Sequence, residues 1–277
     1  MSTSNKEYPD EYKNLIDLLE KLRDTTIPSP DEIWEHVQLY RKWNLCSIRL
    51  GFKKKKPDLK RWKDYQQRMP TDDEIERWFK DKMANIGIVC GKVSGNLAEI
   101  DFDVIEYLPK FFPEWEKEIF ETYSFTTSRG IGICYRTSSP VKSIKITDKD
   151  GREILSIRGE GEYFVAPPSI HPSGVRYRFI AKVPPKEYKG DLVQEMIERA
   201  IELGLNAPSE PVDLEEILKG VPEGNRDNSL VRLIHFLKRQ GKSKEEVLEI
   251  CLKWDKRNQP PLGDKHIREK VEYHMER

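Results

Sequence analysis

The sequence predicts an α+β protein, in which a mixed α/β domain is followed by a small all-α helical bundle. Three observations carry this reading. Apolar residues recur at three- and four-residue spacings in residues 8–43 and again in the last sixty or so residues. Between them, residues 45–180 break into short runs rich in Ile, Val, Tyr and Phe, divided by Gly, Pro, Ser and Asp. A Pro- and Gly-containing stretch, "ELGLNAPSEPVD" at about residues 203–213, separates the two regimes. The predicted division is a helical segment over 1–44 packed on an α/β domain over 45–205, then the bundle over 206–277. With 37% hydrophobic residues, six Trp and eleven Tyr, the chain can build real cores.

Taken in order, "DEYKNLIDLLEKL" and "SPDEIWEHVQLYRKW" read as helices, the second opened by a Ser-Pro-Asp start signal. "LCSIRL" is a short strand, followed by the basic loop "KKKKPDLKRW". In "PTDDEIERWFKD", Thr71 and Glu74 have the spacing of a capping box. Strands then dominate: "NIGIVCG", "LAEIDFDV", "YSFTTS", "GIGICYR", "VKSIKIT", "REILSIRG", "EYFVAPP" and "VRYRFI". Beyond the boundary a helix is expected from Asp213, a second in "DNSLVRLIHFLKRQG" ending at Gly241, a third opened by a Ser243/Glu246 capping box, and a last in "DKHIREKVEYHM".

Formal net charge is zero, but the charge is uneven along the chain. Residues 1–40 carry four basic and nine acidic side chains; residues 41–68 carry eleven basic and two acidic, including the run Lys53, Lys54, Lys55 and Lys56 and the nearby Lys60. That excess is either the footprint of a polyanion or a solvated lysine-rich loop. The four cysteines, at 46, 90, 134 and 251, are far apart and lack histidines at zinc spacing, so no zinc site is expected. Cys46, Cys90 and Cys134 lie in apolar runs and read as small buried hydrophobes. The N-terminus lacks the pattern of a secretory signal, and no run approaches the ~20 apolar residues of a membrane span. A cytoplasmic, reduced, monomeric protein with no membrane contact is the expectation. "GIVCGKV" fails the Walker A spacing and no hydrolase elbow surrounds Ser169 and His171, so neither an ATPase module nor a hydrolase triad is expected.

The chemistry concentrates in "LAEIDFDV". Strand alternation places Glu99, Asp101 and Asp103 on one face and Ile100, Phe102 and Val104 on the other. Same-face neighbours stand ~6.6 Å apart, close enough for Asp101 and Asp103 to share a Mg²⁺ or flank two ions, whereas Glu99 is ~13 Å from Asp103. Two carboxylates held together without a cation repel, and one tends to stay protonated. The plainer alternative is an acidic face that meets water or a lysine.

"KKPDLKRWKDYQQRMPTDDEIERWFKDKMANIGIVCGKVSGNLAEIDFD", "TTSRGIGICY" and "LSIRGEGEYFVAPPSIHPSGVRYRF", in that order, resemble the primase-polymerase (prim-pol) branch of the archaeo-eukaryotic primase superfamily, found in replication proteins of archaeal plasmids and viruses. "PEGNRDNSLVRLIHFLKRQGKSKEEV" is similar to the helical primase C-terminal domain that often follows. The resemblance implies an RRM-like core of mixed sheets flanked by helices. It also implies a DNA primase/polymerase that makes or extends primers on a single-stranded DNA template by metal-dependent nucleotidyl transfer from NTPs or dNTPs, with Mg²⁺ or Mn²⁺.

Position by position, the family's metal-binding acids fall on Asp101 and Asp103. Its phosphate-contacting turn falls on Ser128, Arg129, Gly130 and Ile131, but the histidine that follows is replaced by Gly132. Its third acid falls on Ser156, which leaves the third metal ligand unassigned; Glu160 and Glu153 are weak substitutes, Glu153 lying on the opposite face unless a bulge intervenes. "PPSxHPSG" is intact, with Ser169 and His171 as nucleotide contacts, and Arg129 and Arg158 as candidate phosphate ligands. Arg129 alternatively belongs to an ordinary hairpin turn, and Arg158 to a cross-strand pair with Asp101 or Asp103. Lys53–Lys56, Lys60 and Arg226 are the candidate template contacts, and a separate replicative helicase is the candidate partner. The two departures also admit a degenerate prim-pol module that binds DNA or nucleotide without polymerising, and the carboxylates alone admit a metal-dependent nuclease.

Overall fold

The structure, a computed structural model, describes residues 10–208, 217–223 and 226–276. The chain divides into two compact units, Met1–Pro208 and Ser209–Arg277. Among the described residues no helix is long and apolar enough to cross a membrane.

In the first unit, α1 (Asp10–Leu22) and α2 (Pro30–Lys42) precede β1 (Cys46–Leu50), α3 (Asp72–Phe79) and β2 (Asn85–Val89). Then come β3 (Leu97–Phe102), α4 (Leu108–Phe111), α5 (Trp115–Phe120), β4 (Ser124–Thr126), β5 (Ile131–Arg136), β6 (Ile144–Thr147) and β7 (Glu153–Arg158). The unit closes with β8 (Tyr163–Ala166), β9 (Arg178–Ala181), β10 (Lys186–Glu187) and α6 (Leu192–Glu202). The predicted start signals are used as caps. Ser29 accepts from the Glu32 amide at the start of α2, and Thr71 and Glu74 close both halves of the capping box on α3. Neutral-pH capping of this kind stabilises a helix by ~1 kcal/mol.

The strands form two sheets. One is a three-stranded antiparallel sheet in the order β1-β2-β8; the other runs β6-β7-β3-β5-β4-β9, with the two residues of β10 added in parallel to the end of β5. β3 is therefore central, flanked by β5 and β7, as its apolar opposite face predicts. Its even residues Ala98, Ile100 and Phe102 join Ile131, Ile133, Ile157, Phe111 and Met196 in a core under α4, α5 and α6. Fully burying one such Ile is worth ~1.5–3 kcal/mol. The other face of the large sheet contributes Phe125 and Cys134 to a second core, with β1, β2, β8, α2 and α3. The acidic face of β3 thus turns toward the small sheet. Cys46, Cys90 and Cys134 are buried in that second core as expected, and Cys251 is buried in the C-terminal unit.

The link between α1 and α2 is tied down by charge. Asp24 pairs with Arg178 on β9 and with Arg176, and accepts from the amide and hydroxyl of Thr26 at 2.8 Å each. Burial opposes ionisation of Asp24, but the Thr26 hydrogen bonds and Arg178 prevail and hold its carboxyl down to about 2. A carboxyl depressed in the folded state contributes stability that is present above its unfolded value near 4 and is lost as pH falls toward 2. The natural chain should therefore lose on the order of 2 kcal/mol between pH 5 and pH 2 that Asp24→Asn does not lose. Urea midpoints at the two pH values check this; equal slopes for both proteins would refute it.

In the second unit, α7 (Arg226–Arg239), α8 (Lys244–Asp255) and α9 (Asp264–Met275) share one core. The stripe Leu230, Leu233, Ile234 and Leu237 faces inward against Val247, Cys251, Trp254, Ile267 and Val271. The Ser243/Glu246 capping box is present on α8, and Trp254 donates to the Ile217 carbonyl at 2.6 Å. The helix expected from Asp213 lies outside the described residues. His235 is half-buried, with its Nε2 3.0 Å from His274 Nδ1.

Candidate functional site

The sheet register places the motif positions side by side. Asp101 on β3 lies opposite Ser156 on β7 and opposite Gly132 on β5; Ser156 faces Lys145 on β6, and Gly132 faces Phe125 on β4. Directly paired residues share a sheet face. One transverse row therefore reads Lys145, Ser156, Asp101, Gly132, Phe125. The positions assigned to the missing acid and the missing histidine flank Asp101 on either side, far apart in sequence and adjacent in space. Glu99, Arg158 and Cys134 form the next row on the same face.

A cleft of about 250 Å³ opens over these rows, lined by Lys55, Glu99, Asp101, Phe125, Arg158 and Tyr163 among others. Arg158 bridges its acidic wall: one guanidinium nitrogen meets Glu99 and the other meets Asp101 Oδ2 at 3.0 Å. The cross-strand pair foreseen for Arg158 is thus formed with Asp101, and Glu99, only 1% exposed, is the additional partner that sequence spacing passed over. Burial pushes the Glu99 carboxyl up to about 7 against the pull of Arg158, and the nearby Asp101 adds to the rise. Burial likewise raises Asp101, again against Arg158. Asp103 follows the end of β3 but remains in the ladder, its amide donating to the Ile154 carbonyl at 3.0 Å. Its Oδ2 receives Arg129 at 2.9 Å.

The fit of a divalent cation rests on one atom. Asp101 Oδ1 is buried and has no hydrogen-bond partner, although it belongs to a carboxylate next to two others. An unpartnered buried carboxylate oxygen is the donor a hard cation requires. Asp101 and Asp103 fit. Ser156 is buried and offers no charge. Glu160 is committed to the Lys92 amide at 2.8 Å. The bulge anticipated for Glu153 does occur: the register shifts so that Thr147 faces Glu153, bringing that carboxylate to the Ser156 side, where Lys145 takes it at 2.7 Å.

Other expected contacts fall differently. Ser169 is buried, and its hydroxyl accepts from the Ile86 amide at 2.8 Å, pinning the loop after β8 to β2, so it is not available to a nucleotide. His171 is near the cleft but in a turn of its own, its Nδ1 accepting from the Ser173 amide at 3.1 Å. Burial lowers its proton affinity first, and the positive charges of Lys55 and Arg129 lower it further. Ser128 is half-buried in the β4–β5 turn, where Thr127 Oγ1 receives the Gly130 amide at 3.0 Å. Gly130 is required sterically, because a Cβ there would overlap the carbonyl oxygen of Phe102, a backbone atom. Lys53, Lys54, Lys55, Lys56 and Lys60 are exposed and make no ion pair among the described residues, whereas Arg41, Arg49, Arg61 and Arg68 in the same basic stretch are paired with carboxylates. Arg226 holds the Pro260 carbonyl and pairs with Glu223 at 3.2 Å within its own unit.

An α+β domain built on two largely antiparallel sheets with a buried acidic face, followed by a helical unit, has the architecture of a primase-polymerase. The family described as bifunctional DNA primase/polymerase, N-terminal, matches residues 37–189, and the family described as primase C terminal 1 matches residues 214–272. The first match spans more than half of the 277 residues, and the chain belongs to the bifunctional DNA primase/polymerase family. Its helical second unit carries the primase C-terminal domain. No curated protein matches the chain.

Proposed function

We propose that the chain is a primase-polymerase that makes or extends primers on single-stranded DNA by metal-dependent nucleotidyl transfer from NTPs or dNTPs. The observation that carries this is the orphaned Oδ1 of Asp101, two residues before Asp103, in a cleft that Lys55 and Arg158 also line. Asp101 and Asp103 would hold the Mg²⁺ or Mn²⁺, which supplies charge neutralisation and polarises phosphate oxygens when bound. Arg158 fixes the acidic wall and keeps Glu99 and Asp101 from repelling one another apart. Arg129 is 70% exposed, able to exchange Asp103 for a phosphate. The unpaired Lys53, Lys54, Lys56 and Lys60 suit a template backbone. The setting proposed is plasmid or virus replication, with the chain a cytoplasmic monomer beside a separate helicase.

A second reading has its own observation. Arg158 already satisfies one oxygen of Asp101, and Ser156 supplies no third carboxylate, which favours a module that binds nucleotide or DNA without polymerising. Primer synthesis and extension on a single-stranded template, with Mg²⁺ or Mn²⁺, separates the two. Product from the natural chain that disappears in Asp101→Ala/Asp103→Ala supports the polymerase. A silent natural chain in which Ser156→Asp restores product establishes the second reading instead.

A further inference from the structure

We infer that Lys55 receives the triphosphate of the incoming nucleotide, taking the part of the histidine absent at position 132, and is not a template ligand like its neighbours. This rests on the nucleotide-handling reading above.

Position 132 has no room for any side chain. A Cβ built there would lie inside 3.0 Å of three ring carbons of Phe125, and that ring is itself stacked on Phe164 with centroids 5.4 Å apart. The cation that answers a polyphosphate must therefore come from another element. Arg158 spends both terminal nitrogens on Glu99 and Asp101, and Arg129 reaches a phosphate only by giving up Asp103. Lys55 lines the same cleft as Asp101 and Arg158 and makes no ion pair among the described residues.

The basic run is also not a uniform solvated loop, because its backbone is fixed at this point. Asn85 Nδ2 donates to the Lys54 carbonyl at 3.0 Å, the Tyr163 hydroxyl donates to the Lys55 carbonyl at 3.0 Å, and the Lys54 amide closes a turn onto the Gly51 carbonyl at 2.9 Å. Lys53 takes a left-handed conformation, φ 55°, within that turn. Of the four consecutive lysines, Lys55 is the one that lines the cleft. An ammonium on a four-carbon stem, anchored at its carbonyl, is a point charge that can follow phosphate oxygens without needing a fixed fork geometry.

The test compares the full-length natural chain with Lys55→Gln and Lys53→Gln, with unfolding midpoints confirming intact folding. Calorimetry measures binding of dATP and of inorganic tripolyphosphate with Mg²⁺, and fluorescence anisotropy measures binding of a labelled single-stranded oligonucleotide. Lys55→Gln should weaken both polyphosphates by about tenfold, a charge-assisted contact's worth, and change DNA affinity less than about twofold. Lys53→Gln should show the reverse preference. If Lys55→Gln leaves dATP and tripolyphosphate binding unchanged while the natural chain binds both, Lys55 is not the triphosphate ligand and the polymerase reading survives without it. If the natural chain binds neither polyphosphate, the nucleotide-handling reading fails, and this assignment with it.

Discussion

Arg158→Met is expected to destabilise the first unit by ~3–5 kcal/mol at pH 8 and by much less at pH 5.5. The substitution keeps most of the apolar stem but removes the cation shared by Glu99 and Asp101, leaving two buried carboxylates facing each other. Glu99 already rises to about 7 through burial with the arginine in place, and without that pull it rises further. A carboxyl raised in the folded state gives stability that is complete below its unfolded value near 4 and is lost as pH climbs through the folded one. The deficit should therefore grow between pH 5.5 and pH 8. Five of the six tryptophans precede residue 208, so urea unfolding followed by tryptophan fluorescence reports chiefly on this unit. Adding Glu99→Gln to Arg158→Met should recover part of the loss, since one of the two stranded charges is gone. A deficit that is equal at both pH values, and that Glu99→Gln does not relieve, would mean that packing rather than charge is lost.

The same network shows which parts of the site were legible in the sequence. Alternation along "LAEIDFDV" was enough to put Glu99 and Asp101 on one face and to make β3 central, because that information is local to the strand. The capping residues Ser29, Thr71 and Ser243 were legible for the same reason, each lying within three residues of the amide it satisfies. What joins Arg158 to Glu99 is the register between β7 and β3, set by packing and turn lengths far from either residue. Ser169 sits in a motif whose composition suggests ligand contact, but the turn after β8 folds its hydroxyl back onto Ile86. Arg226 opens α7, and the carbonyl it holds belongs to Pro260, 34 residues away. Glu153 was tied to an undetermined bulge, and the bulge exists, but the lysine opposite it was not foreseen. In each case the residue type was readable and its partner was not.

Gly132 carries the second large effect, and its sign runs against the ordinary rule. Its backbone has no positive φ, so nothing in its conformation requires glycine, and replacing such a strand glycine by alanine normally stabilises by ~0.5–1 kcal/mol. Here the added Cβ runs into the Phe125 ring, which is fully buried and hemmed in by Tyr123, Phe164 and Tyr177. Gly132→Ala should therefore destabilise by ~1–3 kcal/mol, and Gly132→His by the upper end of that range or more. Restoring the family's histidine alone should thus weaken the fold without restoring its chemistry. The cause is testable by coupling. Phe125→Ala costs ~3–5 kcal/mol alone by opening a cavity, but in combination with Gly132→His the imidazole can occupy that cavity. The double variant should be less destabilised than the sum of the singles by ~1–3 kcal/mol. Strict additivity in urea midpoints would place the obstruction somewhere other than Phe125. With the coupling present, the phenyl ring and the glycine are a matched pair across β4 and β5: an apolar side chain occupies the space of a phosphate-contacting one, and the cation for the polyphosphate is left to the loop after β1.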